Sequence, residues 1–99
     1  MFIVLLRFSG AKSKAGELMA GHNDWIRRGL EDGVFLLIGS LQPSLGGAIL
    51  AHDVTRADLL ERVHQDPFVV RDVVEAEILE VSPSKTDPRL AFLLCGPAT

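Results

Sequence analysis

The chain has 99 residues, enough for one domain, and at that size it hides only about 60–65% of its unfolded surface, so its core is modest. Apolar residues make up 47% and charged residues 23%, an ordinary globular balance that excludes a disordered tail, a collagen-like fibre and a disulfide-stapled miniprotein. The net charge of −3, with no basic block longer than Arg27-Arg28, offers no nucleic-acid footprint.

Cys95 is the single cysteine; it cannot close an intramolecular disulfide and is far short of a zinc site, which fits a reducing cytoplasm. The opening apolar run Phe2–Leu6 stops at Arg7, too short to span a bilayer and without signal-peptide anatomy, so no membrane partner is expected.

Residues 2–8 place Phe2, Val4, Leu6 and Phe8 on one face and Ile3 and Leu5 on the other, which predicts a strand apolar on both sides and ended by Ser9-Gly10. The period then changes. Over 14–32, Leu18, His22, Ile26 and Leu30 recur every fourth residue with Met19, Trp25 and Gly29 alongside, predicting an amphipathic helix that Gly33 stops in a left-handed conformation. Val34–Ile38 is a continuous apolar run closed by Gly39-Ser40, a strand buried on both faces. Leu41–Gly47 carries turn residues, and Ala48–His52 returns as the hairpin partner. Thr55, with Asp58 three residues on, is a capping-box variant that opens a helix whose apolar side is Leu59, Leu60 and Val63. Pro67 disfavours the α conformation at Asp66 and breaks that helix. Residues 73–81 form the last strand, with Val74, Ala76 and Ile78 on one face and Leu79 and Val81 on the other.

The order is βαββαβ, which predicts an α+β, ferredoxin-like domain over residues 1–81: a four-stranded antiparallel sheet with two helices on one face. Residues 82–99 form a C-terminal arm whose apolar stretch Leu90–Leu94 needs burial. Whichever face meets the helices, the first two strands present large apolar side chains on the other. At roughly 25 cal/mol per Å² that surface is costly to leave wet, so a homodimer stacked sheet to sheet is expected. The arm is expected to add a strand or cross to the partner, the alternative being that it folds over its own sheet. Glu75 and Glu77 beside Leu79 and Val81 suggest a wetter cavity near the start of the last strand.

His22 lies on the inward stripe of the first helix. It is either a core histidine hydrogen-bonded once, or a general base. Asp66 at the end of the second helix favours the latter, because both helices share one sheet face and a carboxylate beside an imidazole fixes its tautomer and favours its protonated form. Asp66 read alone is equally a turn residue. Ser40 could bind a ligand oxygen or simply punctuate the hairpin, and Trp25 could line the pocket or flank the helix. His52 and His64 carry no metal-ligand pattern, so no metal site is expected. No nucleophile elbow is present, and Gly46-Gly47 lacks the strand–loop–helix setting of a phosphate cradle, so it reads as turn chemistry.

These residues together resemble the YciI-like (YCII-related) family over about residues 1–81. The anchors are His22-Asn23-Asp24-Trp25, Gly29-Leu30-Glu31-Asp32-Gly33, Phe35-Leu36-Leu37-Ile38-Gly39 and Asp66-Pro67-Phe68, in that order. The resemblance implies a ferredoxin-like fold that dimerises by stacking sheets, and a site built on a histidine–aspartate pair, here His22 and Asp66. One activity in the family is cofactor-free elimination of chloride from a chlorinated hydroxyhydroquinone; fold relatives include muconolactone isomerase and small monooxygenases that need neither metal nor flavin. The chain departs from the family pattern at Ser40, where a proline commonly follows the strand-terminal glycine, and in its longer arm.

The expectation is therefore a cofactor-independent lyase or isomerase acting on a small cyclic or phenolic molecule, with His22 and Asp66 catalytic and Ser40, Trp25 and Phe68 contacting substrate. A non-catalytic dimeric module that binds a small ligand or supports a partner enzyme is the alternative.

Overall fold

A computed structural model of the chain describes residues 1–94. Cys95, the single cysteine, lies outside them. Strand β1 spans Phe2–Phe8, α1 Ala15–Glu31, β2 Phe35–Leu41, β3 Gly46–Ala51, α2 Arg56–Val63, α3 Pro67–Val70 and β4 Val74–Glu80. The strands form one antiparallel sheet in the order β2-β3-β1-β4. This is an α+β fold consistent with the ferredoxin-like expectation.

The parity read from β1 decides the sheet's two faces. Phe2, Val4 and Leu6 are buried, and in register beside them lie Ala51 and Ile49 of β3. Helix residues Trp25, Leu59, Val63 and Phe68 join that same buried cluster, so the helices cover this face. Ile3 and Leu5 point the other way, alongside Leu50, Leu37 and Leu79. Leu37 stays 56% exposed and Leu79 41%. The second face thus carries the large apolar side chains its residue pattern predicts, with the charged Arg7, Glu75 and Glu77 among them.

Local chemistry fixes the element ends. Gly33 takes φ +75° and its N–H donates to the Leu30 carbonyl, closing α1 in the left-handed stop expected of it. The Thr55 hydroxyl accepts from the Asp58 amide at 3.1 Å, capping α2.

Four expectations need correction. The hairpin loop is shorter than Leu41–Gly47: the β2–β3 ladder reaches the Leu41–Gly46 pair, leaving only residues 42–45 as turn. Asp66-Pro67 does not merely end α2; it opens α3. Proline has no N–H to lose at the first helical position, and Asp66 Oδ1 accepts the Phe68 amide at 3.1 Å. The buried line of α1 is rotated toward Trp25 and Gly29, while Leu30 is exposed. The cause is Phe35, whose ring lies so close to Gly29 that a Cβ there would overlap it. Finally, Pro88–Leu94 of the arm forms a 3-10 helix, not a strand. It buries Leu93 and sets Phe92 edge-on to His52 at 5.6 Å, so a ring contact on its own chain replaces sheet pairing.

Candidate functional site

His22 projects from the middle of α1, and Asp66 caps α3 at the end of α2. The helices meet where α1 carries Gly21: a Cβ at that position would come within 3.1 Å of Pro67 Cγ. The missing side chain lets α1 approach closely enough for the next residue to reach the cap. Nδ1 of His22 lies 2.7 Å from Oδ1 of Asp66. An imidazole–carboxylate pair that the sequence separates by 44 positions is thus assembled by two local features, a glycine in one helix and a proline-initiated turn after another.

Asp66 is fully buried, and its Oδ2 has no hydrogen-bond partner. Oδ1 takes both available donors, the imidazole and the Phe68 amide. A carboxylate has no proton to give, so the ring nitrogen facing it carries the hydrogen. Nδ1–H therefore donates to Asp66, and in the neutral ring Nε2 keeps its lone pair. The ring's flat side is fixed too: Phe68 stacks on it at 3.9 Å between centroids and 4° between planes. Held on one edge and one face, the imidazole presents a single nitrogen in a set direction.

His22 lines a cavity of about 320 Å³ between α1 and the sheet. Leu6, Phe8, Ile26, Ile38, Ile49 and Val74 supply apolar walls, with Phe68 behind the imidazole. Met19 and Asn23 sit on the helix side, Ser40 and Gly47 on the strand side. Among the described residues that line it, His22 is the one titratable group; its polar companions are the Asn23 amide, the Ser40 hydroxyl and backbone.

The structure brings four of the five expected residues together. His22, Ser40 and Phe68 line the cavity, and Asp66 stands behind His22. Trp25 does not line it. The indole is 1% exposed, meets the Phe35 ring edge-on at 5.0 Å and donates from Nε1 to the Arg62 carbonyl at 2.8 Å, tying α1 to α2. It is a core anchor whose ring centroid lies 5.9 Å from that of His22. The expected wetter region near β4 is also placed differently. Glu75 and Glu77 lie on the face away from the helices, where Glu77 accepts from Arg7 at 2.6 Å, and it is Val74 that reaches the cavity.

Sequence reasoning missed Asn23 and Met19, one on each side of His22, and the two glycines Gly21 and Gly47. The glycines had a legible signal. A glycine inside a helix or strand costs stability relative to alanine, so its presence marks a close approach or an open space. His52 and His64 stand apart from the cavity, and no group of three potential metal ligands occurs among the described residues. No helix among them is long and apolar enough to cross a membrane.

Comparison of the chain with protein-family models, with curated proteins and with solved structures finds no match.

Proposed function

We propose that the chain is a YciI-like, cofactor-independent lyase or isomerase that moves a proton on a small cyclic or phenolic molecule, working as a cytoplasmic homodimer. The observation that carries this reading is the 2.7 Å contact between cavity-lining His22 and wholly buried Asp66. In the proposed mechanism the ligand's ring lies against the apolar walls, and its polar atom meets Ser40 or Asn23. Nε2 of His22 takes a proton from the ligand, Asp66 stabilises the resulting imidazolium through Nδ1–H, and the stacked Phe68 face adds a cation–π attraction. The proton then returns to another ligand atom in an isomerisation, or leaves with the departing group in an elimination.

One feature favours the binding-module alternative. Among the described residues only one titratable group lines the cavity, so a single imidazole must serve as both acid and base. The two readings separate by turnover and binding of phenolic and lactone compounds. Catalysis predicts that His22→Ala loses about 10²–10⁴-fold in rate while retaining measurable affinity. If wild type binds a compound without turning it over, and His22→Ala and Asp66→Asn only weaken that binding, the module reading replaces it.

A further inference from the structure

The cavity exists because of side chains the sheet leaves out. One inward row across the sheet reads Ile38, Ile49, Val4 and Ile78 in register, all of them large. The next inward row toward the hairpin loop reads Ser40, Gly47, Leu6 and Ala76. Here three of the four positions carry a hydroxymethyl, a hydrogen or a methyl, and Ser40, Gly47 and Leu6 of this row line the cavity together with Met19, His22 and Asn23 of α1.

The neighbouring glycines of this loop end differ in kind. Gly46 has φ +134°, and a Cβ there would run into the Leu6 carbonyl, so the backbone itself demands glycine. Gly47 makes no such demand. It follows ordinary strand backbone, and an added Cβ would meet only the Gly39 carbonyl oxygen, at a comfortable 3.5 Å. Directly paired residues of an antiparallel ladder point to the same face. A side chain at 47 would therefore project with those of Leu6 and Ser40, into the cavity that Gly47 already lines. A strand glycine with room for a side chain costs backbone entropy and forgoes burial. What the glycine supplies in return is volume in the cavity that His22 also lines.

We infer that Gly47 is the size-determining position of this cavity: it is the bare floor on which the body of an uncharged, ring-shaped molecule lies while a polar atom of that molecule meets Nε2 of His22. The ligand is uncharged because, among the described residues, no lysine, arginine, aspartate or glutamate lines the cavity, and the one imidazole there is already paired with Asp66. This inference rests on the ligand-binding reading of the His22 cavity and adds the residue that limits what enters.

The test compares the full-length wild type with Gly47→Ala and Gly47→Val, using phenol as a one-ring probe and 2-naphthol as a two-ring probe. Thermal unfolding is recorded without ligand, and affinities are read by titration calorimetry. Wild type is expected to bind both probes. Gly47→Ala should weaken 2-naphthol at least tenfold while leaving phenol within about threefold, and Gly47→Val should lose both. Both unliganded variants should unfold at or above the wild-type Tm, since a side chain there relieves the glycine penalty and fills space. Wild-type affinity for 2-naphthol in Gly47→Val would overturn the assignment, and so would a lowered Tm in both variants, which would show that the backbone does need glycine at 47. If wild type binds neither probe, the ligand-binding reading of the cavity fails and the role of Gly47 goes with it; the other two outcomes sink only the role of Gly47.

Discussion

At His22 the decisive feature is constraint. An unrestrained imidazole exchanges its proton between two nitrogens and turns about its side-chain bonds, whereas this one is pinned by a carboxylate on its edge and an aromatic ring on its face. Asp66→Asn is an informative change, because an amide oxygen can still cap α3 and accept from Nδ1–H while the negative charge is gone. It should fold, keep ligand affinity within a few-fold and lose turnover; Asp66→Ala should in addition lose the cap and about 0.5–2 kcal/mol of stability in a denaturant titration. Trp25→Phe makes the opposite prediction. It removes the hydrogen bond to the Arg62 carbonyl and should cost about 1–3 kcal/mol, yet leave binding in the cavity unchanged, since the indole does not line it. Helical periodicity alone could not separate these two residues. His22 and Trp25 are three positions apart and share a face; what separates them is the Phe35 ring, which draws the Trp25–Gly29 side of α1 into the core and leaves His22 at the cavity edge.

Elements meet in this fold through residues that have no side chain. Gly29 lets α1 settle on Phe35, and Gly21 lets it approach α3 at Pro67. Gly29→Ala would force the Phe35 ring to move, an overpacking cost of about 1–3 kcal/mol visible as a lowered Tm. Gly21→Ala should be milder for stability, because it asks Pro67 to shift by only a few tenths of an ångström. Its effect should fall on the site, widening the His22–Asp66 contact and weakening turnover more than folding. On the outer face of α1, the Arg27 guanidinium hydrogen-bonded to Asp24 holds that carboxyl below its ordinary value of 3.8. A carboxyl depressed in the folded state contributes stability that is present above the ordinary value and lost as pH falls through the folded one. Asp24→Asn should therefore flatten the acid limb of a Tm-against-pH curve below about pH 4, slightly, because the pair is exposed and screened by solvent. Much of this layer was legible in the residue pattern: the parity of β1 and β4, the Gly33 stop and the Thr55 cap hold, whereas β2 slips register between Phe35 and Leu37 and is not buried on both faces. The short helix at Pro67 was not, because the proline that ends one helix is equally suited to begin another, and only the Asp66 hydrogen bond decides between the two roles.

At the scale of the whole molecule, two helices and a short turn of helix cover one side of a sheet whose other side carries Ile3, Leu5, Leu37, Leu50 and Leu79. The arm's 3-10 helix sets Phe92 against His52 but leaves Leu37 and Leu79 largely open. A second copy stacked on this face is the proposed cover, and Leu37→Glu is its test: sedimentation should show a dimer for wild type and a monomer for the variant. A wild-type monomer at micromolar concentration would remove the dimer from the account while leaving the cavity, which lies on the other side of the sheet, where it is. That both faces would be apolar could be read from alternation in the first two strands; that the arm would coil could not, because Leu90–Leu94 satisfies a strand and a helix turn equally well. Sheet, helices and glycine contacts converge on one ring, and its protonation pattern is the most direct thing to measure. Nitrogen-15 NMR of the His22 side chain in the unliganded protein, followed upward in pH until the ring is neutral, should show the remaining hydrogen on Nδ1 and a lone pair on Nε2, and should show the two tautomers mixing when Asp66 is replaced by alanine. A wild-type His22 carrying its hydrogen on Nε2, with a spectrum indifferent to Asp66→Ala, would contradict the account.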